Sequence, residues 1–302
     1  MCYRFSRMEP SNWLAFIARF GIAAYTLGIW LSLSLYNRES FLTSVLNSFG
    51  VGFPLPEKDY GDVCDIYVAD HASGDPFFNI TDRVDVFVLA HSLGWFVKAL
   101  IVRDIRVSWV CSILFELIEQ AFAHLLPNFN ECWWDSWIFD VFGCNMLGIH
   151  LADLALTQLG WQKFDFFRNA FERRKSINFK FLFSATLLVS LISVIDLNFF
   201  FLKFVLWIPT THALCHVRTY MFALLSAPAS LELYNWSSLK NRKSFLLQCP
   251  SAVLGVVALL SEISLVVMFR GTMFAASPET PIGTILLVVT CLYATMYAFV
   301  KW

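Results

Sequence analysis

Residues 124–145, HLLPNFNECWWDSWIFDVFGCN, place acidic and amide side chains beside a tryptophan pair between two apolar runs. Those runs, roughly 107–126 and 134–158, each reach the about 20 residues that a helix needs to cross a bilayer. The stretch therefore predicts two membrane spans joined by a short polar loop. Such loops are often polar for solubility alone, so the rest of the chain must decide whether these acids have a function.

The composition places the chain among membrane proteins. Of its 302 residues, 58% are hydrophobic, 17% are aromatic and only 15% are charged. A soluble domain is nearer half apolar and a quarter charged. The net charge of −1 gives no basic surface for nucleic acid, which is excluded as a partner.

Apolar runs of spanning length recur along the whole chain and predict an all-α, polytopic membrane protein of about eight transmembrane helices. We expect one integral-membrane domain over 1–302. The segment 198–212 is too short for a span, and is either a re-entrant or interfacial piece or an extension of the span before it. The predicted spans are roughly 13–36, 84–101, 107–126, 134–158, 179–197, 214–234, 251–269 and 282–301.

The basic residues between spans set the orientation. With eight spans, the Lys and Arg clusters fall on one side, which the positive-inside rule makes cytosolic. The opposite, lumenal side then holds 37–83, 127–133, 198–213 and 270–281. The first of these contains the sequon NIT at Asn79. Cys64 and Cys132 both lie on this side, where a disulfide between them is one possibility.

Polar residues cluster in three consecutive predicted spans and the loop between the last two. Ionisable groups inside a membrane are costly and usually mark a functional site. His91 and Lys98 share a helix face, and Glu116 and Glu119 lie within about 100° of each other on an ideal helix. The rest of the set follows in the loop and the next span: Asn128, Glu131, Asp135, Asp140 and Asn145. These groups are expected to meet near one lumenal mouth.

Asp135, Asp140 and Asn145 recur every five residues, which is about 140° per step on an ideal α-helix. Either the helix bends or partly unwinds so that they face one point, or fewer of them are ligands than the full set suggests. Gly143 and Gly148 would permit the bending or unwinding.

Carboxylate and amide oxygens suit a hard cation, namely Ca²⁺, with Mn²⁺ or Mg²⁺ as alternatives. A neutral histidine beside it is suited to act as a general base. Lys98 and Arg103 are candidates for holding a phosphate oxygen, or else only reach the headgroups. Simpler interpretations also exist: Glu116 and Glu119 as a helix–helix hydrogen-bond pair, and Trp133 and Trp134 as an interfacial aromatic belt.

Three segments closely resemble the eukaryotic base-exchange phosphatidylserine synthases: AHSLGWFVKALIVRD (90–104), FELIEQAFAHLLPNFNECWWD (115–135) and DVFGCNMLGI (140–149). PLPEKDYGDVC (54–64) and DLNFFFLKFVLWIP (196–209) add to the similarity. The resemblance runs in order from about residue 50 to about 235. It implies a multi-pass endoplasmic-reticulum enzyme that exchanges choline or ethanolamine of a phospholipid for L-serine, with Ca²⁺ and without nucleotide.

The resemblance also implies which residues are essential, and all of them are present: His91, Glu116, Glu119, Asn128, Glu131, Asp135, Asp140 and Asn145. We expect His91 to act as the base, and a covalent phosphatidyl-histidine intermediate is the competing role for it. The metal ligands are expected to be Glu116, Glu119, Asp140 and Asn145. Substrate contacts are assigned to Lys98, Arg103, Glu131 and Asp135. The expected partners are phospholipid, L-serine and membrane lipids, and the sequence also allows a homo-oligomer.

Two rival functions remain. A CDP-alcohol phosphatidyltransferase would make the same product, but its D-G-x2-A-R…G-x3-D-x3-D signature is not found here. A transporter with an acidic midplane site predicts an inverted repeat and polar residues in both halves of the chain. The clustering of the polar residues in one third of the chain argues against it.

Overall fold

Helices account for the secondary structure because a chain surrounded by hydrocarbon must satisfy its backbone hydrogen bonds internally. A computed structural model of the protein describes residues 12–50, 61, 63–84, 86–171, 177–239 and 244–270. No β-strand occurs in these ranges. Their α-helices are α1 Asn12–Leu35, α2 Arg38–Ser44, α3 Phe78–Thr81, α4 Val86–Val102, α5 Ile105–Phe122, α6 Met146–Gln158, α7 Phe166–Phe171, α8 Phe179–Leu206, α9 Ala213–Ser238, α10 Phe245–Gln248 and α11 Pro250–Phe269. A π-helix, Asp135–Asn145, runs directly into α6, and Leu46–Phe49 and Pro127–Phe129 form 3₁₀ turns.

Within the described ranges, four helical segments are long and apolar enough to cross a membrane, judged by length and composition. They are Trp13–Leu35, Asp135–Gln158, Phe179–Leu206 and Pro250–Phe269, and Val88–Val102 is a shorter apolar helix. The prediction of an all-α polytopic membrane protein is confirmed. The predicted spans 107–126 and 214–234 correspond to α5 and α9, which carry buried charged residues that lower their apolar character. The predicted span 282–301 lies outside the described residues, so the count of eight stays a prediction.

For segment 198–212, the structure shows an extension of the preceding span rather than a separate re-entrant piece. Helix α8 continues to Leu206 and ends where Trp207 adopts a left-handed conformation with φ of 52°. Pro209 follows, and it lacks the N–H needed to continue a helix. The next helix, α9, begins at Ala213, where the His212 side chain caps it by accepting a hydrogen bond from the Leu214 N–H.

The described chain divides into two compact units. The first contains the described residues up to 50 together with 164–270, and the second contains the described residues from 61 to 163. The prediction of one membrane domain over 1–302 stays a prediction.

The first unit packs α1, α8, α9 and α11 around a buried ion pair. Arg218 on α9 donates to both carboxylate oxygens of Glu262 on α11, with Nε–Oε1 and Nη2–Oε2 distances of 2.7 Å. Tyr25 and Asn198 donate to the same carboxylate at 2.6 and 3.0 Å. Two charges in an apolar interior require such complete pairing. This set therefore joins all four helices at one point.

The second unit packs α4 closely against α6, and Gly148 permits the approach. A Cβ atom at Gly148 would overlap the backbone oxygen of Ser92 and lie 2.8 Å from the Phe96 nitrogen. Only glycine allows two backbones to come this near. Ser92 follows His91, so this contact determines how far His91 lies from the neighbouring helix.

Candidate active site and family membership

The π-helix brings the residues spaced by five onto a shared side. In a π-helix the hydrogen bonds link residues i and i+5, so residues five apart are about one turn apart. Both Asp140 and Asn145 are buried as a result. A Cβ at Gly143 would lie 3.3 Å from the Ile138 oxygen, so glycine suits this wider turn. Of the two possibilities that the five-residue spacing left open, the structure shows the departure from α geometry, and which of these residues bind a metal stays a prediction.

His91 on α4 is held by Asp140 on the π-helix. Its Nδ1 lies 2.8 Å from Asp140 Oδ1. The Asp140 side chain is only 11% exposed, whereas that of His91 is 43% exposed. In the neutral imidazole, a carboxylate in this position favours the tautomer with the proton on Nδ1, in which Nε2 is the proton acceptor. The pair thus has the geometry of an oriented general base.

Three glutamates form a compact group. Glu116 and Glu119 come from α5 and Glu131 from the loop after it, and one carboxylate oxygen of each lies within 4.8 Å of the other two. Asn145 extends the group, since its Nδ2 donates to Glu116 Oε1 at 3.4 Å and to Ser112 Oγ at 3.1 Å. Glu116 Oε2 and Asn145 Oδ1 are buried without a hydrogen-bond partner. Buried oxygens in this state are suited to bind a cation.

The pKa of Glu131 is raised, as expected for a buried carboxyl close to other acids. Burial, followed by the nearby charges of Asp140 and Asp135, raises the pKa of Glu131 to about 7, against a smaller opposing effect of His91 and Arg83. A bound hard cation would oppose both the burial and the repulsion that raise the pKa of this carboxyl. The sequence prediction gave Glu131 to substrate binding, and the structure places it in the glutamate group.

Asp135 lies where the loop meets the π-helix. Its Oδ2 is 3.8 Å from Nε of Arg83, and both side chains are largely buried. Asn128 is in the half-buried 3₁₀ turn of the preceding loop. Neither residue belongs to the glutamate group, so their predicted catalytic roles stay predictions.

A disulfide holds the loop that carries Glu131. Cys64 and Cys132 are bonded, which confirms the pairing considered from the sequence. Trp134 also donates from Nε1 to the Cys64 oxygen at 3.1 Å. Its side chain is buried, whereas Trp133 is 62% exposed. The aromatic-belt interpretation is therefore wrong for Trp134, because its indole nitrogen has a partner inside the fold.

The two cations predicted to hold phosphate lie against aromatic rings. Lys98 Nζ is 4.5 Å from the centre of the Trp95 ring, and the Arg103 guanidinium is 5.0 Å from that of Trp161. Arg103 follows the end of α4, and twelve residues from His91 correspond to about 18 Å along a helix. The structure thus places Arg103 away from His91, and the phosphate-binding roles of both cations stay predictions.

A family model described as "Phosphatidyl serine synthase" matches residues 10–182 and 169–270. The chain belongs to this family. It is 35% identical over 257 residues to "Phosphatidylserine synthase 2" of Rattus norvegicus, which covers 77% of this chain and 54% of that protein. The human protein of that name is 36% identical over 257 residues, covering 77% of this chain and 52% of the relative. "CDP-diacylglycerol--serine O-phosphatidyltransferase 1" of Arabidopsis thaliana is 36% identical over 220 residues, covering 64% and 50%. The chain spans about half the length of these relatives.

Sequence reasoning about this phosphatidylserine synthase family member missed two groups of buried polar residues. Arg83 is the last residue of the polar segment 37–83 and was not considered individually. Its position next to a span that carries a histidine could have indicated that it belongs to the site. Arg218 and Glu262 each lie inside a predicted span, where an ionisable residue is itself a signal. Ser112, which accepts from Asn145, carries no signal of this kind.

Proposed function

We propose that this chain catalyses phospholipid base exchange, replacing choline or ethanolamine of a phospholipid by L-serine. The observation that carries the proposal is the oriented His91–Asp140 pair in the same unit as the buried glutamate group. Membership in the phosphatidylserine synthase family supports serine and phospholipid as the substrates. A base and a cation site together suit attack of a hydroxyl on a phosphodiester.

Ca²⁺ is the proposed metal, with Mn²⁺ or Mg²⁺ as alternatives. Glu116, Glu119 and Glu131 would hold it, with Asn145 Oδ1 close to Glu116, because these are hard oxygen donors and two of their oxygens have no hydrogen-bond partner. When bound, the ion supplies Lewis-acid polarisation of the phosphoryl oxygens. Asp140 was predicted as a ligand as well, and its hydrogen bond to His91 gives it a second role that is compatible with the first.

His91 carries the proton transfers. Its Nε2 takes the proton of the serine hydroxyl while the serine oxygen forms a bond to phosphorus and the bond from phosphorus to the head-group oxygen breaks. The same nitrogen then returns the proton to the departing choline or ethanolamine. Asp140 stabilises the imidazolium between the two transfers. The bond made resembles the bond broken, so the exchange needs no activated donor.

CDP-diacylglycerol is the second candidate for the donor. The name of the Arabidopsis relative favours it, since that protein is called a CDP-diacylglycerol–serine O-phosphatidyltransferase. The absence of the CDP-alcohol phosphatidyltransferase signature from this sequence favours base exchange. The two donors are distinguished by whether product formation requires the cytidine nucleotide.

We place the protein in the endoplasmic-reticulum membrane. The Cys64–Cys132 disulfide supports this location, because such bonds form on the oxidising side of a membrane. The sequon at Asn79 is on the same predicted side. A homo-oligomer stays a prediction.

The proposal is tested with the full chain purified in detergent and supplied with labelled serine, phosphatidylcholine or phosphatidylethanolamine, and either Ca²⁺ or a chelator. We expect labelled phosphatidylserine with Ca²⁺ and none with chelator. His91→Ala and Asp140→Asn should each lower the rate at least about 100-fold, since general bases contribute about 10²–10⁴-fold.

His150→Ala is the matched control, because His150 is exposed on α6 and contacts the ring of Trp109. It should keep near wild-type activity. A product that forms only with CDP-diacylglycerol, or equally well with chelator, would contradict the base-exchange proposal.

A further inference from the structure

The Arg83–Asp135 pair lies beside the proposed catalytic residues, and Arg83 has not yet been given a role. Arg83 is three residues before α4 and Asp135 is the first residue of the π-helix. Their side chains are only 11% and 14% exposed. Burying two charged groups at the edge of a site is costly and gives little net stability. The pair is therefore better explained by recognition than by stability.

The register of the two helices places this pair next to the base. Asp135 and Asp140 are five residues apart, which is about one turn of a π-helix. Asp140 contacts His91 on α4, and Asp135 contacts Arg83 just before α4, so two pairs connect this part of the chain to successive turns of the π-helix. Arg83 is also close enough to Glu131 to affect its ionisation. A molecule bound at Arg83 thus lies near the proposed reacting groups.

The chemistry of the proposed substrates indicates what the pair recognises. Serine is a zwitterion, whereas choline and ethanolamine are only cations. A site that bears carboxylates alone would favour the cationic head groups over serine. A guanidinium next to a carboxylate complements a zwitterion, and the planar fork of arginine matches a carboxylate with two parallel hydrogen bonds.

We propose that Arg83 is the residue that determines specificity for serine, by binding the carboxylate of the incoming amino acid while Asp135 faces its ammonium group. This inference rests on the proposed base exchange and deepens it. The seryl hydroxyl is then directed along α4 towards His91. Ethanolamine, which lacks the carboxylate, gains nothing from Arg83 and is free to leave.

The test compares Arg83→Gln and Arg83→Lys with wild type in the complete chain, with serine and lipid varied separately. Arg83→Gln should raise KM for serine about tenfold or more, because a hydrogen bond to a charged group contributes at least a factor of that size. Its kcat and its KM for the lipid donor should change less than about twofold, since the proposal assigns Arg83 to the serine carboxylate and not to the base or the donor. Arg83→Lys, which keeps the charge but not the fork, should be intermediate.

Arg106→Gln is the matched control, because Arg106 is exposed at the start of α5 in the same unit. It should leave both KM values unchanged. Thermal unfolding and gel filtration of each variant report folding. Should Arg83→Gln not fold, wild type decides the question with acceptor analogues. L-serine methyl ester and 2-amino-1,3-propanediol keep the ammonium and hydroxyl groups but lack the carboxylate, and both should be used at least about tenfold less well than serine.

Each other outcome overturns the inference. An unchanged KM for serine in Arg83→Gln, or wild type that uses the analogues as well as serine, shows that Arg83 does not read the carboxylate. A higher KM for the lipid alone assigns Arg83 to the donor phosphodiester. If wild type exchanges no head group with any acceptor, the base-exchange proposal itself is refuted. This result is distinguishable from one in which exchange occurs but Arg83 does not affect the use of serine.

Discussion

At the scale of single residues, the candidate site is a set of closely spaced acids, Glu116, Glu119 and Glu131, whose charges repel one another. Glu131 shows this directly, since burial and neighbouring carboxylates raise its pKa to about 7. A protonated carboxyl is a poor ligand, so protons and a divalent cation compete for the same oxygen atoms. The affinity for the cation should therefore depend on pH.

We expect Ca²⁺ to bind about tenfold more weakly at pH 6 than at pH 8. With its pKa near 7 in the metal-free protein, Glu131 is mostly protonated at pH 6 and must release a proton to bind. Calorimetric titration of Ca²⁺ at both pH values measures this. Glu131→Gln should bind weakly at both, with a smaller pH dependence. An affinity of wild type that does not change with pH would show that Glu131 is not a ligand.

At the scale of elements, the distance between α4 and α6 is determined by one glycine. Gly148 sits against the backbone of Ser92, one residue from His91. The π-helix that carries Asp140 leads directly into α6, so a shift of α6 away from α4 also moves Asp140. The His91–Asp140 hydrogen bond is thus sensitive to packing some distance along the helix.

Gly148→Ala should lower the free energy of unfolding by about 1–3 kcal/mol, the usual cost of overpacking. It should also lower the exchange rate at least about tenfold by displacing the base, because small misplacements have large effects on catalysis. Gly94→Ala is the control on α4, since a Cβ there meets nothing within 4 Å. Thermal unfolding and exchange assays of both variants check this. Equal behaviour of the two would contradict the role given to Gly148.

At the scale of the whole molecule, the chain builds two units with separate polar centres. The first unit is joined by the Arg218–Glu262 ion pair, and the second contains the candidate site. The second unit is also closed by the Cys64–Cys132 bond, which links residues 68 apart. Because Cys132 follows Glu131, this bond stabilises the unit and holds the loop of the site.

Replacing Cys64 and Cys132 together by serine should lower the free energy of unfolding by about 4 kcal/mol, as expected for a loop of this length. It should also weaken Ca²⁺ binding, because Glu131 is less restrained. Cys215→Ser is the control, since Cys215 is a free, half-buried cysteine in the other unit. Thermal unfolding and Ca²⁺ titration measure the two effects. A double variant with wild-type affinity would show that the bond does not position Glu131.

The sequence by itself determined the class of protein and most of the candidate residues. Apolar run length predicts helices that cross a membrane, because the bilayer sets their length. The cost of burying charge identified His91, Glu116 and Asp140 as unusual. Both signals are local, so they can be read from composition and spacing.

Only the tertiary structure decided how these residues combine. The π-helix at Asp135–Asn145, the membership of Glu131 in the glutamate group and the pairing of Arg83 with Asp135 follow from packing between helices. Spacing on an ideal helix even argued against a shared side for Asp140 and Asn145. The physical reason is that distances between side chains of different helices depend on how closely the helix backbones approach, as at Gly148. The periodicity of the helix depends on the same packing. No local sequence pattern specifies the distance between two backbones.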